Sequence, residues 1–99
     1  MDTEFKRPLG SGFTIYTKSG CANCTNVKSF LLNKFFSFTI IDSDDYILEN
    51  KEKFLSFIES IADTSYKTFP MVFYDGKFVG GFAHTVEFID KLLVFEDNF

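Results

Sequence analysis

The sequence predicts an α/β fold, a four-stranded mixed sheet flanked by three helices in the order β-α-β-α-β-β-α. Short β-branched and aromatic runs alternate with stretches whose apolar residues recur at helical spacing. Asp75-Gly76, close to the C-terminus, is a strong signal for a tight hairpin turn. A chain of 99 residues has room for one such domain.

The first part of the chain predicts an arm, then a β-α-β unit. Residues 1–12 are charged and end in a Pro- and Gly-containing stretch, so we expect an N-terminal arm before a domain over residues 13–99. Phe13–Thr17 predicts a strand, Ala22 to about Phe36 a helix, and Phe38–Ile41 a second strand. The expected buried stripe of the helix is Val27, Phe30, Leu31 and Phe35. Such a unit requires parallel strands and a right-handed crossover.

The second part predicts a helix, a hairpin and a last helix. Asp42–Asp45 offers several N-cap candidates for a helix that continues to about Ala62. Its expected buried stripe is Phe54, Phe57, Ile58 and Ile61. Met71–Tyr74 and Lys77–Val79 predict two antiparallel strands. The last helix is expected from Thr85 to Phe95, with Val86, Ile89 and Leu93 buried.

Composition and charge exclude several classes of function. The net charge is −4 and no basic block is present, which argues against nucleic-acid binding. No apolar run is long enough to span a bilayer, so no membrane partner is expected. The first eight residues lack the apolar core of a signal peptide. We therefore expect a reducing, cytoplasmic location, where a close pair of cysteines is typical of catalysis rather than structure.

The pair Cys21 and Cys24 lies between the first strand and the first helix, with the spacing of a thiol–disulfide redox site. Free backbone N–H groups and the helix dipole favour a thiolate at the helix start, and Lys18 adds a nearby cation. Cys21 is therefore the expected nucleophile and Cys24 the resolving cysteine. A buried structural thiol and a zinc half-site are the alternatives. A closed zinc site needs four ligands, whereas the chain offers two cysteines and His84, so no metal is expected.

The order of elements resembles the thioredoxin fold, and three local motifs resemble those of glutaredoxins over residues 13–95. Lys18-Ser19-Gly20-Cys21 is similar to the lysine and cysteine of the family's active site. Thr68-Phe69-Pro70 is similar to its Thr-Val-Pro, whose proline follows a cis bond. Gly80-Gly81 resembles the double glycine that turns the chain beside bound glutathione.

This resemblance implies which residues bind glutathione and substrate. The implied set is Lys18, Asn23, Thr68, Phe69, Pro70 (cis), Gly81, Phe82, Ala83 and His84. The chain also departs from the family pattern. Ala22-Asn23 replaces the usual Pro-Tyr, and Ala83-His84 replaces the residues that receive the γ-glutamyl end, commonly carrying a carboxylate. His84 can accept a hydrogen bond from the γ-glutamyl ammonium only while its imidazole is neutral, whereas a carboxylate accepts in its usual charged form. We therefore expect weaker glutathione binding than in the family.

The function implied is a glutathione-dependent thiol–disulfide oxidoreductase that reduces glutathione mixed disulfides and protein disulfides. It would be a monomer with glutathione as co-substrate and no bound cofactor. Its partners would be glutathionylated or disulfide-containing proteins, with ribonucleotide reductase a candidate at family level. The alternatives are a dimer that binds an iron–sulfur cluster with glutathione, a thioredoxin-fold reductant for one dedicated protein, and an adaptor with idle thiols.

Overall fold

The computed structural model describes the backbone of residues 5–97 and the side chains of residues 5–94, so the first four residues of the expected arm lie outside it. The predicted order of elements is confirmed. The elements are β1 (Phe13–Thr17), α1 (Ala22–Asn33), β2 (Phe38–Asp42), α2 (Asp44–Ala62), β3 (Met71–Tyr74), β4 (Lys77–Gly80) and α3 (Phe82–Asp97). No helix in this part of the chain is long and apolar enough to cross a membrane.

The four strands form one mixed sheet in the order β2-β1-β3-β4. β1 pairs in parallel with β2 and antiparallel with β3, and β3 and β4 form the antiparallel hairpin. The register sets Thr17 of β1 beside Asp42 of β2, and Tyr16 beside Met71 of β3. The end of β1, which leads into Cys21, therefore lies between the end of β2 and the start of β3.

Successive residues of a strand point to opposite faces, and the two faces of this sheet bury different chemistry. The face covered by α2 is mainly aromatic; its buried residues are Phe5, Tyr16, Ile41, Phe54, Phe57, Ile58, Met71 and Phe73. The other face, covered by α1 and α3, is mainly aliphatic; its buried residues are Phe13, Ile15, Val27, Leu31, Val72 and Ile89. Within the described residues, four of the five buried phenylalanines lie on the α2 side, and partly buried phenylalanines pack against both clusters.

The predicted buried stripe of α1 is wrong at Phe35, whose side chain is 96% exposed. The helix ends at Asn33, and the amide N–H of Lys34 donates to carbonyl oxygens of the last turn. Phe35 then adopts φ 66°, in the left-handed region, so the chain turns before this side chain can reach the core.

The helices α2 and α3 also differ from the prediction in their geometry. α2 is kinked at Asn50 (φ −163°, ψ 87°), where the Asn50 side-chain oxygen accepts from Lys53 N at 3.0 Å and caps the second segment. α3 begins at Phe82, three residues earlier than expected, and Thr85 N donates to Gly81 O at 3.0 Å. Phe82, Ala83 and His84 are therefore the first turn of α3 and not a loop.

Phe5, from the expected arm, is packed into the aromatic core. Its side chain is 6% exposed, and its ring centroid lies 5.0 Å from that of Tyr46 and 5.1 Å from that of Phe57. Tyr16 Oη donates to Lys6 O at 2.5 Å, which fixes the next residue of the same segment. The division into an arm and a domain at residue 13 stays a prediction.

Candidate active site

Cys21 is the N-cap residue of α1, with an extended backbone (φ −109°, ψ 103°). Its Sγ accepts a hydrogen bond from the backbone N–H of Cys24 at 3.1 Å, the place that a serine or aspartate oxygen takes in an ordinary cap. The structure holds the two cysteines as a disulfide, with their Cα atoms 5.3 Å apart. Once the bond is reduced, the same N–H and the helix dipole stabilise negative charge on the Cys21 sulfur.

The two cysteine residues differ in their exposure to solvent. Cys21 is half-buried at the loop-to-helix junction, whereas Cys24 is 2% exposed. An external disulfide can therefore approach Cys21, while Cys24 is left to react with its neighbour one helical turn away. This difference fits the nucleophilic and resolving roles expected from the sequence.

The loop that precedes Cys21 is tied to the start of α2. Ser19 donates to Asp44 from its backbone N–H, at 2.9 Å, and from its hydroxyl. These two hydrogen bonds, and secondarily the charge of Lys18, hold the pKa of Asp44 below its ordinary value. Gly20 follows with φ 70°, a conformation that favours glycine directly before the reactive cysteine. The hydrogen bonds between Ser19 and Asp44 were not predicted from the sequence, because they depend on the register between β1 and β2.

The Thr68-Phe69-Pro70 segment leads into β3, beside the end of β1. The Phe69–Pro70 peptide bond is cis, as the resemblance implied. Pro70 is buried, Thr68 is exposed, and the Phe69 ring stacks on Phe54 with centroids 6.2 Å apart. Lys18 Nζ lies 5.8 Å from the centroid of the Phe69 ring, so the lysine of the first motif and the middle residue of the second are neighbours.

The two glycines before α3 are needed for space. A Cβ at Gly80, which has φ 132°, would lie 2.6 Å from Cγ and Nδ1 of His84. A Cβ at Gly81 would lie 2.5 Å from the hydroxyl of Tyr66, a neighbour that no sequence motif marked. Gly81 N donates to His84 Nδ1 at 3.3 Å, so the imidazole folds back over the glycine pair.

Three other residues of the expected glutathione-binding set lie on α3 and α1. The Phe82 ring lies 6.4 Å from the Phe30 ring and joins α3 to α1. Ala83 is exposed in the first turn of α3. Asn23 is exposed on α1, where its Oδ1 accepts from Asn26 Nδ2 at 3.1 Å. Asn23 is thus bonded within its own helix, and a role for it in ligand binding stays a prediction.

A cleft of about 640 Å³ opens at Cys21 on the β2 side of the site. Apart from the CxxC turn and the loop before it, it is lined by Thr25 and Lys28 of α1 and by Ile40 and Asp42 of β2. Sequence reasoning missed this cleft, although Lys28 follows Cys21 by seven residues, the spacing that brings two side chains near the same face of a helix. Within the described residues, no group of three or more His, Cys, Asp or Glu side chains could hold a metal ion.

Comparison with known proteins gives one consistent family. A family model described as glutaredoxin matches residues 13–79. Glutaredoxin 1 from Francisella tularensis, solved in complex with cacodylate, is 28% identical with a TM-score of 0.71, over 82% of this chain and 94% of that one. The holo form of glutaredoxin C1 from Populus tremula x tremuloides is 25% identical with a TM-score of 0.66, over 82% and 76%.

A third solved structure supports the fold alone. Reduced Escherichia coli glutaredoxin is 23% identical, with a TM-score of 0.62 over 82% of this chain and 95% of that one. A comparison with curated protein sequences finds no significant match. The assignment of this chain to the glutaredoxin family therefore depends on the match to the family model and on the structural similarity.

Proposed function

Because the chain belongs to the glutaredoxin family, whose fold and CxxC pair are those of a thiol–disulfide oxidoreductase, we propose that its reaction depends on glutathione. In this proposal it reduces glutathione mixed disulfides and protein disulfides through Cys21 and Cys24. One observation carries it: the accessible Cys21 sulfur caps α1, and a buried Cys24 lies one turn behind it.

In the first step, the Cys21 thiolate attacks the glutathione sulfur of a protein–glutathione disulfide. The disulfide bond of the substrate breaks as the bond between Cys21 and glutathione forms. The protein leaves as a thiolate and takes a proton from water. The Cys24 N–H and the start of α1 stabilise the attacking thiolate.

The second step returns Cys21 to its thiolate. A second glutathione thiolate attacks the bound glutathione sulfur and leaves as oxidised glutathione. With a protein disulfide, Cys21 first forms a mixed disulfide with one protein sulfur, and the other leaves as a thiolate. The Cys24 thiolate then attacks the Cys21 sulfur, which releases the second protein thiol. The resulting Cys21–Cys24 disulfide is reduced by two molecules of glutathione.

The proposed place for glutathione is the cis-proline side of Cys21. Lys18 would meet a carboxylate, Phe69 would offer its backbone groups, and the first turn of α3 would receive the γ-glutamyl end. The contact between Lys18 and the Phe69 ring supports a shared surface. His84 offers no carboxylate for the γ-glutamyl ammonium, and its Nδ1 is already bonded to Gly81, so we expect modest affinity.

The proposed reaction needs a pool of reduced glutathione, so we expect the protein to work in a reducing compartment such as the cytoplasm. Electrons would reach it from NADPH through glutathione reductase. No resident cofactor is required, and the site can act in a monomer. The protein substrates would be glutathionylated proteins or proteins with a reducible disulfide.

The test is the reduction of a glutathionylated peptide by wild type and Cys24→Ser, with glutathione, glutathione reductase and NADPH. We expect rates within about tenfold of each other, because Cys21 alone carries out this exchange. The same variant should no longer reduce a protein disulfide, since only Cys24 can attack the Cys21 sulfur of the mixed disulfide from within the same chain. Equal loss of both reactions would contradict this division, and failure of wild type on the glutathionylated peptide would refute glutathione dependence.

A further inference from the structure

The cleft beside Cys21 lies on the opposite side of β1 from the cis-proline segment and shares Lys18 with the proposed glutathione surface. β1 runs between β2 and β3, with Asp42 beside Thr17 and Met71 beside Tyr16. The cleft is bounded by Ile40 and Asp42 of β2, whereas the cis-proline segment leads into β3. If glutathione occupies the β3 side, the protein half of the mixed disulfide is left with the β2 side.

The cleft carries two lysines and one aspartate. Lys18 and Lys28 both line it, and within the described part of the chain neither forms an ion pair. The nearby carboxylates, Asp42 at the cleft and Asp44 behind the loop, keep their charge but accept hydrogen bonds from within the protein. Asp42 Oδ1 accepts from Asp44 N at 3.0 Å, and the Asp44 carboxylate accepts from Ser19. A chain with a net charge of −4 therefore presents two lysines at this cleft that form no ion pair within the described residues, and of these Lys18 also lies over the Phe69 ring.

The position of Lys28 defines how far a ligand must extend. Lys28 follows Cys21 by seven residues, so its backbone lies about 10 Å along the axis of α1. An extended peptide advances about 3.3 Å per residue, so two or three residues cover this distance. The glycine carboxylate of glutathione is one residue from its cysteine, which suits Lys18 better. Ile40, 37% exposed, adds an apolar contact in the same cleft.

We propose that this cleft binds the protein substrate through an acidic side chain two or three residues from the cysteine that is reduced. Lys28 is the residue that determines this preference, because Lys18 is the partner proposed for a glutathione carboxylate. The inference rests on the proposed function, since it assigns the protein half of the same disulfide. It predicts a sequence preference in substrates beyond any preference for glutathione itself.

The test uses two glutathionylated peptides that differ only by Glu or Gln at the third residue from cysteine. At low salt, we expect wild type to favour the Glu peptide in kcat/KM by about fivefold, the size of one partly exposed charge contact. Lys28→Gln should bring this ratio close to one. Lys91→Gln, the same charge change on a different surface formed by α3 and β4, should keep the wild-type ratio. Added salt should reduce the preference, because the contact is solvent-accessible.

Three outcomes would overturn the proposal: equal use of both peptides by wild type, an equal fall of the ratio in Lys91→Gln, or a higher KM for glutathione in Lys28→Gln with an unchanged peptide ratio. The last outcome would assign Lys28 to the second glutathione. Binding of the same peptides with serine in place of cysteine, followed by NMR, tests the cleft without turnover. A Lys28-dependent preference for Glu there would support the cleft even if glutathione dependence failed, and equal binding would refute it.

Discussion

The first turns of α1 and α3 are capped in different ways. At α1, the side chain of the N-cap residue Cys21 accepts from the backbone N–H of Cys24 at 3.1 Å. At α3, His84, the third residue of the helix, reaches back to accept from the N–H of Gly81 at 3.3 Å. The α3 arrangement is half of a capping box, with an imidazole in place of the usual carboxylate or amide.

The difference shows how one structural device serves two purposes. At α1 the capping atom is also the nucleophile of the proposed mechanism, so the interaction that starts the helix would stabilise the thiolate that attacks the substrate. At α3 the capping atom is a ring nitrogen of His84, which is not part of the proposed thiol exchange, and the N–H of Gly81 is already bonded to it. The predictions below separate capping from reactivity at each helix start, beginning with the largest expected effect.

Cys21→Ser should separate the two roles at α1. Serine is among the preferred N-cap residues, so its hydroxyl should accept from Cys24 N–H and preserve the helix start. A hydroxyl is a poor nucleophile at neutral pH, so the rate of disulfide reduction should fall by about a thousandfold or more. The measurements are turnover of a glutathionylated peptide and Tm, the latter compared with wild type under reducing conditions.

Retention of most activity by Cys21→Ser would remove Cys21 from the mechanism. A large loss of Tm would show that the sulfur is needed for the fold and that the loss of activity is indirect. Cys21→Ala is the matched control, because alanine cannot accept the hydrogen bond. It should be inactive and should also lose about 1 kcal/mol of unfolding free energy, the typical contribution of an N-cap.

Variants of His84 test the cap at α3, where we expect a smaller effect. His84→Ala removes the acceptor for Gly81 N–H and should lower the free energy of unfolding by about 1 kcal/mol. His84→Gln can reach back to the same N–H, as glutamine does in a capping box, and should recover most of this loss. Urea unfolding of the three proteins measures both effects. Equal destabilisation by Ala and Gln would show that the ring packs over Gly80 rather than capping the helix.

The fold was largely predictable because local patterns and the global topology agree. Phe13–Thr17 and the apolar spacing of Val27, Leu31, Phe54 and Ile58 predicted their strand, helices and buried faces. The prediction that Phe35 is buried was wrong because helical spacing does not show where a helix ends. The exposure of Phe35 follows from a left-handed turn directly after α1. The predicted start of α3, at Thr85, is three residues too late. It did not take account of the cap made by His84, a residue type that is unusual in that role.

The site was predictable to the extent that it is local in sequence. The cysteine pair, the cis bond at Pro70 and the glycine pair are short motifs with a direct structural consequence. The bond between Ser19 and Asp44 and the cleft at Lys28 arise where β2 pairs with β1. Because these features join residues of different elements and depend on the strand register, spacing within one segment could not show them.

The start of α2 extends the comparison to a third helix, whose N-cap residue Ser43 makes no side-chain capping bond. Asp44, in its first turn, instead accepts from Ser19 and fixes the loop before Cys21. Asp44→Asn should lower Tm slightly at neutral pH and reduce activity by no more than about twofold, since the bond is at the surface. Asp45→Asn removes the same charge from the same turn without a bond to Ser19 and is the matched control.

The dependence of this effect on pH has a definite sign. Ser19 holds the pKa of Asp44 below its ordinary value of 3.8, so the folded protein binds this proton less readily than the unfolded chain does. The stabilisation is therefore fully present above the ordinary value and is lost as the pH falls through the lowered one. The Tm difference between wild type and Asp44→Asn should accordingly be constant from pH 7 to about pH 5 and shrink in stronger acid. An equal, pH-matched loss in Asp45→Asn would mean that the helix dipole, and not the tie to the Cys21 loop, stabilises this carboxylate.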